Sequence, residues 1–387
     1  MSGSDRLGRF GRGLVAPVLA GAVAIVVSCV ALIISGDSIP EAFSAMWRSI
    51  HSRESVISII NGATPYYVAG VAVAIGFKMN LFNIGANGQY RLAALLAGAA
   101  GAAVDLPAPV HVAFMFLIAI AVGGFWAAIA GVLKVTRGVN EVISTIMLNY
   151  IAVGISAFLL SEYLRNPDKT VSETRLLPKS AQLPSLDRLL EFVGIDPGRF
   201  PLEGFLPFAI MIGIGYYVLL FRSRFGYELR VSGMNPAAAS SAGVQPKAMI
   251  LKTIILSGCI AGLIGMSDLM ADPQFHKFGD QFPLNLGFTG IAIALLGRNH
   301  PAGIAAAAII WATIDRATKP LSSLDIPQEV GVIMQGSFLL AAVIVYEVVR
   351  RRNDVRTAKD AAARAAAAHA EPPGGPAGQI APAGATS

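Results

Sequence analysis

The stretch that decides the fold begins at Val110, ends at Leu133 and reads VHVAFMFLIAIAVGGFWAAIAGVL. It contains no Asp, Glu, Lys or Arg, and Lys134 follows directly. A helix rises about 1.5 Å per residue, so about 20 apolar residues cross the hydrocarbon core of a bilayer. The stretch therefore predicts a transmembrane helix.

The whole chain has the composition of an integral membrane protein. Of its 387 residues, 54% are hydrophobic and 14% are charged, and the mean hydropathy is +0.61. A soluble domain carries about a quarter of its residues as Asp, Glu, Lys and Arg. Soluble enzymes and DNA-binding domains are thereby excluded. We interpret the formal net charge of +6 as an orientation signal on cytoplasmic loops.

Further apolar runs lie on both sides of the first. They cover residues 14–35, 56–77, 81–103, 139–160, 204–221, 248–270, 285–296, 302–314 and 330–349. The runs 285–296 and 302–314 are short, and they are either two short helices or one hairpin that does not fully cross. The sequence predicts an all-α, polytopic membrane helical bundle of about ten transmembrane helices, within a range of about eight to ten.

Basic residues determine the predicted orientation. Arg6, Arg9 and Arg12 precede the first run, which is too long for the core of a cleaved signal peptide and is interpreted as an uncleaved helix. Most loop Lys and Arg fall on one side if both termini are cytoplasmic. The predicted layout is a cytoplasmic N-terminus (1–13), a transmembrane domain (14–352) with an extracytoplasmic loop (161–203) and a cytoplasmic loop (222–247), and a disordered Ala/Pro/Gly-rich tail (353–387).

Motifs for covalent chemistry are missing from the sequence. It contains no GxSxG, no HExxH and no P-loop, so any ATP-driven work must come from another subunit. Cys29, Cys259 and the five histidines lack the spacing of a disulfide framework or a metal site, and we expect no cofactor. Glu141 and Asp268 lie near predicted helix ends and give only weak support to proton or sodium coupling.

A string of amides and glycines opens the third run. Residues 80–89 read NLFNIGANGQ and include Asn83, Asn87 and Gln89. Broken backbone is tolerated at membrane depth where it lines a watery cavity, and amides both donate and accept hydrogen bonds. The string predicts a broken helix beside a pathway for a neutral, hydroxyl-rich or heterocyclic solute. Tight packing between helices is the alternative.

A polar stripe and a glycine pair follow on later runs. Glu141, Thr145 and Asn149 are each four residues apart and share one helix face, which lines a pore or joins helices; polar residues within spans favour the pore. Gly258 and Gly262 form a GxxxG pair, which predicts close helix packing.

The predicted cytoplasmic loop contains a short helix. Asn235 and Pro236 give a start signal, small residues follow from Ala237, and Gly243 gives a stop signal. Such a helix has too little apolar bulk to fold alone, and its small residues suit docking into a groove on a partner. An ordinary connecting loop is the alternative.

Four ordered segments resemble the permease subunits of ATP-binding cassette (ABC) importers in the branched-chain amino acid and simple sugar group, above all the nucleoside branch. They are LFNIGANGQ at 81–89, NEVISTIMLNY at 140–150, GMNPAAASSAGV at 233–244 and GFTGIAIALLGRNHP at 287–301. Asn87 stands where the family often has an acidic residue. Ala237 to Ala239 replace the acidic E-A-A form of the superfamily, so docking is expected to depend on packing.

The resemblance implies an alternating-access permease of the bacterial inner membrane. Its implied partners are a cytoplasmic ATPase that binds ATP, a second, related or identical permease, an extracytoplasmic solute-binding lipoprotein, a small-molecule solute and membrane lipid, with no nucleic acid. The pathway is assigned to Asn83, Asn87, Gln89, Glu141, Thr145 and Asn149. Coupling to the ATPase is assigned to Gly233, Asn235, Pro236, Ala237, Ala238 and Gly243. Nucleosides are the expected solutes; a ribose-like sugar permease, an ion-coupled transporter and a membrane enzyme are the alternatives.

Overall fold

A computed structural model describes residues 22–23, 25–30, 32–192, 194, 200–324, 326–327, 329–341 and 344. The predicted N-terminus at 1–13, part of the run 14–35, the end of the run 330–349 and the tail at 353–387 lie outside the described residues. The unit Ala24–Leu339 holds the helices and sites described below.

This unit consists of helices joined by irregular loops. They include, in chain order, α1 (Ile39–Ile50), α2 (Arg53–Phe77), α3 (Ala86–Ala102), α4 (Ala108–Arg137), α5 (Glu141–Glu162), α6 (Asp187–Phe192), α7 (Leu206–Tyr217), α8 (Arg224–Met234), α9 (Pro236–Ser241), α10 (Pro246–Gly262), α11 (Met266–Ala271), α12 (Leu286–Leu296) and α13 (Pro301–Thr318). A π-helical turn, Val218–Arg222, extends α7. The described residues contain no β-strand beyond an isolated bridge between Glu173 and Gly279, so the all-α prediction is confirmed.

Four of the described helical segments are long and apolar enough to cross a membrane. They are Glu54–Phe77 in α2, Ala108–Arg137 (α4), Glu141–Glu162 (α5) and Pro246–Ala271, which combines α10 and α11. A fifth span results if Leu206–Arg222 and Arg224–Met234, which meet at a bend of 68°, are one span. The short runs at 285–296 and 302–314 form two helices, α12 and α13. The total of about ten spans and the side on which the termini lie stay predictions.

The third predicted run begins as a helix later than its apolar pattern suggested. Residues 80–85 are not helical, Asn80 has a φ of 54°, and α3 begins at Ala86. The helix is buried along most of its length, with Tyr90 and Leu95 fully covered. It contacts α4, α5, α10 and α12, so it is an inner helix of the bundle.

Glycines bring α4 and α10 into backbone contact. A Cβ added to Gly258 would lie 2.5 Å from the backbone oxygen of Gly123, and one added to Gly262 would overlap the backbone oxygen of Ala119. Residues without a side chain are therefore required where the two helices cross. The close packing predicted from the GxxxG pair is confirmed, and the structure identifies α4 as the partner.

The connecting segments gather at two ends of this bundle. At the α6 end, defined by residues 163–192, 200–205 and 272–285, the amide of Thr174 donates to the carbonyl of Phe278 at 2.8 Å. At the α9 end, defined by residues 78–85 and 222–247, Asn80 Nδ2 donates to the carbonyl of Gly233 at 2.7 Å. Helix α2 runs between them, since Asn61 near its start donates to Pro201 O at 2.8 Å.

Candidate functional site

The amide string forms a buried hydrogen-bonded cluster near the α9 end. Asn83 and Gln89 bond to each other through both amide groups, at 3.0 and 3.1 Å. Asn83 Nδ2 also donates to Ser257 Oγ at 2.9 Å, and that hydroxyl donates to the carbonyl of Ala72 at 2.7 Å. The non-helical segment is thereby fastened to α2, α3 and α10.

Asn149 fastens the same segment to α5. Its Nδ2 donates to the carbonyl of Ile84 at 2.7 Å, and its Oδ1 accepts the amide N–H of Gly88 at 2.8 Å. Backbone groups that the broken helix would leave unpaired are thus satisfied by one side chain. The amide groups predicted to line a pathway largely bond within the protein.

Three other predicted pathway residues have different surroundings. Thr145 Oγ1 donates to the carbonyl of Glu141 at 2.6 Å, and the Glu141 carboxylate pairs with Lys134 at 2.5 Å. Asn87 is 6% exposed, and its Oδ1 has no hydrogen-bond partner among the described residues. A buried amide oxygen in this state is available to another donor. All six predicted pathway residues are therefore buried in one region, and Asn87 is the member with free accepting capacity.

Replacing Asn149 by alanine is expected to destabilise the protein. The substitution leaves the Gly88 N–H and the Ile84 C=O unpaired in a buried site, and each such group costs about 1–3 kcal/mol. The midpoint of thermal unfolding in detergent should fall by several degrees. Ser161→Ala, at an exposed position of the same helix, is the control and should change nothing. An unchanged midpoint for Asn149→Ala would contradict the packing role.

The predicted docking helix is present as α9. Asn235 Oδ1 accepts the amide of Ala238 at 3.1 Å, Pro236 is the first helical residue, and Gly243 has a φ of 80°. Ala237 and Ala238 are exposed, while Ala239 packs inward. Met234, at the end of α8, is 85% exposed. The helix thus presents a small, open surface at this end of the bundle.

Gly233 connects α9 to the amide cluster. A Cβ at this position would lie 2.7 Å from Met79 Cα. The last turn of α8 can therefore approach residues 79–80 this closely only because residue 233 is glycine. The Asn80 side chain bonds to the Gly233 carbonyl at the same contact. Gly233, one of the residues predicted for coupling, is therefore in contact with Asn80, the first residue of the amide string.

Comparison with known proteins identifies the family. The model of the family described as branched-chain amino acid transport system / permease component matches residues 55–343. The chain belongs to this permease family. Its members are transport components, and the apolar helices of this permease are those of a membrane-embedded protein.

Named relatives differ in their solutes. The permease is 30% identical to the guanosine ABC transporter permease protein NupP of Bacillus subtilis, over 86% of this chain and 92% of that protein. It is 28% identical to the nucleoside ABC transporter permease protein NupB of Lactococcus lactis, over 78% and 83%. Identity to the glucose ABC transporter permease protein TsgB13 of Haloferax volcanii is 32%, over 77% and 78%.

The permease also contains a large polar cavity at the α6 end. It is lined by the first half of α2, whereas the amide cluster contacts the second half of that helix. Its volume is about 780 Å³. The walls come from the first half of α2, residues 200–203, α11 with the turn after it, the start of α12 and the end of α13. Asn61 shapes one wall, because it donates to Pro201 O and accepts the amide of Glu203 at 3.1 Å.

Carboxyl groups dominate the charge of this cavity. Glu203, Asp268, Asp272 and Asp315 line it, together with Arg316 and Lys319. Burial, and then the nearby Asp268 and Asp272, raise the pKa of Glu203 from 4.5 to about 8, so its carboxyl is largely protonated at neutral pH. Such a group can donate as well as accept a hydrogen bond.

The sequence alone assigns none of these residues to a cavity. Asp268 gives weak support to ion coupling, and Glu203 and Asp315 have no predicted role. A usable signal existed, since each of the four acids lies within a few residues of the end of an apolar run. What the sequence lacked was any sign that those ends meet. Within the described residues no group of His, Cys, Asp and Glu has the arrangement of a metal site.

Proposed function

We propose that this permease is the membrane subunit of an ABC importer that carries nucleosides across the bacterial inner membrane. The observation that carries the proposal is the identity of 30% to a guanosine permease over 92% of that protein. A nucleoside permease from a second organism supports the same solute class. The glucose permease among the relatives keeps simple sugars as the second candidate.

The chain itself supplies a gate, and a separate ATPase supplies the work. Helix α9 is the docking point, since it is capped, exposed and too short to be stable without a partner. When the ATPase subunits close on ATP, α9 moves, and Gly233 transmits the motion to Asn80 and the amide cluster. The permease needs no cofactor of its own.

The remaining partners follow from the same proposal. A second permease, identical or related, completes the pathway, and a solute-binding lipoprotein delivers the nucleoside at the α6 end, which is the extracytoplasmic side in the predicted orientation. In the amide cluster, Asn87 Oδ1 is the group that contacts solute. Asn83, Gln89, Thr145 and Asn149 hold the surrounding backbone in place, and Glu141 does so through Lys134.

Solute competition tests this function directly. Vesicles that carry the permease together with its ATPase and second permease are expected to take up tritiated guanosine only with ATP and binding protein. Excess uridine should compete, whereas excess ribose or glucose should not. Competition by the sugars but not by uridine would instead favour the sugar permease. Uptake by the purified chain alone, driven by an ion gradient, would contradict an ABC mechanism.

A further inference from the structure

We propose that the cavity at the α6 end is a solute-binding site, and that it selects unphosphorylated nucleosides over their phosphate esters. The inference rests on the proposed function and assigns that function a site. Its volume of about 780 Å³ lies within the range of about 300–1,000 Å³ found for small-molecule sites. A nucleoside fits this space with room for ordered water.

The apolar part of the lining suits a heterocyclic base. Tyr66, Phe200 and Phe275 contribute aromatic rings from three separate segments of the chain. Every nucleobase has a π face that stacks on such rings without sequence preference. One of these rings also makes a cation–π contact, because the Arg316 guanidinium lies 5.5 Å from the centre of the Phe200 ring.

The polar part of the lining suits hydroxyl groups. Asp268 Oδ2 and Arg316 Nε are buried and have no hydrogen-bond partner among the described residues, although both residues line the cavity. Buried polar atoms are almost always paired, so such atoms at a cavity wall indicate a missing partner. A ribose hydroxyl can donate to the carboxyl oxygen, and a base carbonyl can accept from the guanidinium.

The balance of charge disfavours a phosphate. Carboxyl groups outnumber cations in the lining, and Lys319 already pairs with Asp315 at 3.8 Å. Asp268 and Asp272 are then left facing the single guanidinium of Arg316, while the protonated Glu203 adds no charge at neutral pH. A phosphate ester brings close to two negative charges at pH 7 into this surrounding, where carboxyl groups repel it. A neutral nucleoside meets no such opposition.

Occupancy of the cavity can be measured without transport. Ser58 and Gln274 line the cavity, whereas Ser161 is exposed outside it, so Ser58→Cys and Gln274→Cys report on the site and Ser161→Cys is the control. Each full-length variant is placed in nanodiscs and treated with a charged thiol reagent. The labelling of the native Cys29 and Cys259 is measured with the unsubstituted permease and subtracted. Millimolar guanosine should slow labelling at the two cavity positions roughly 10-fold. Guanosine 5′-monophosphate should have no effect, and Ser161→Cys should be unaffected by either.

The outcomes separate the site from the function. Equal labelling rates with and without guanosine at both positions, in a permease whose importer carries guanosine, would overturn the site and leave the function standing. Equal protection by guanosine and its monophosphate would overturn the proposed selectivity. Protection by ribose and not by guanosine would support a solute site while contradicting the nucleoside function. Asp268→Asn should weaken the protection by guanosine, and Asp168→Asn, an exposed acid outside the cavity, should not.

Discussion

Deletion of residues 235–243 is expected to release the ATPase from the permease. The segment contains all of α9 together with its capping residue and its terminating glycine. Because α9 is capped and exposes Ala237 and Ala238 while Ala239 packs inward, we expect the ATPase to cover this small surface. The amount of ATPase that co-purifies with the tagged permease should fall to background, and ATP-dependent uptake should be lost with it.

A point variant separates docking from folding. Ala238→Arg puts a long charged side chain on the exposed face of α9 without touching Ala239, which packs inward. Truncation or blocking of an interface hot spot costs about 2 kcal/mol or more, which is roughly a 30-fold loss of affinity. Ala108→Arg is the matched control, because Ala108 is exposed at the other end of the bundle. Retention of the ATPase at wild-type levels in both Ala238→Arg and the deletion would reject the docking role.

Replacing Gly262 by valine is expected to prevent folding of the permease. Any Cβ at this position overlaps the backbone oxygen of Ala119, and the neighbouring Gly258 is in the same backbone contact with Gly123. Overpacking of a core costs roughly 1–3 kcal/mol when side chains can yield. Here the obstructing atoms belong to the backbone of α4, so the whole helix has to move and the cost is larger.

Size-exclusion chromatography after detergent extraction measures this effect. We expect Gly262→Val to give little or no monodisperse protein. Gly154→Val is the matched control, since Gly154 lies in membrane-spanning α5 and an added Cβ there meets nothing within 4 Å. The control should be extracted as well as the wild type. A monodisperse Gly262→Val protein of unchanged stability would show that α4 and α10 are not in backbone contact in the membrane.

Local features of the fold were predictable because their causes are local. A run of apolar residues about as long as a bilayer is thick becomes a spanning helix, and α4 and α5 lie where the runs 110–133 and 139–160 predicted them. Likewise, the cap at Asn235 and the stop at Gly243 set the limits of α9. The amide and glycine string at 80–89 predicted a broken helix, and residues 80–85 are indeed non-helical before α3 begins at Ala86.

The roles of the polar residues were less predictable. Helical spacing correctly put Glu141, Thr145 and Asn149 on one buried face, but it could not say what that face meets. In the folded chain Asn149 bonds to backbone of the broken segment, and Asn83 bonds to Gln89. The choice between a pathway and tight packing depends on such partners, which lie in other helices.

By itself, the sequence determined that this is a helical membrane protein, where several of its helices lie and which short helix stands exposed at one end. Only the tertiary structure decided that the amides satisfy one another and that Tyr66, Glu203, Asp268 and Arg316 surround one cavity. The reason is physical. Hydropathy and capping act over one or two turns of a helix, whereas a cavity is formed by the ends of helices that are far apart along the chain.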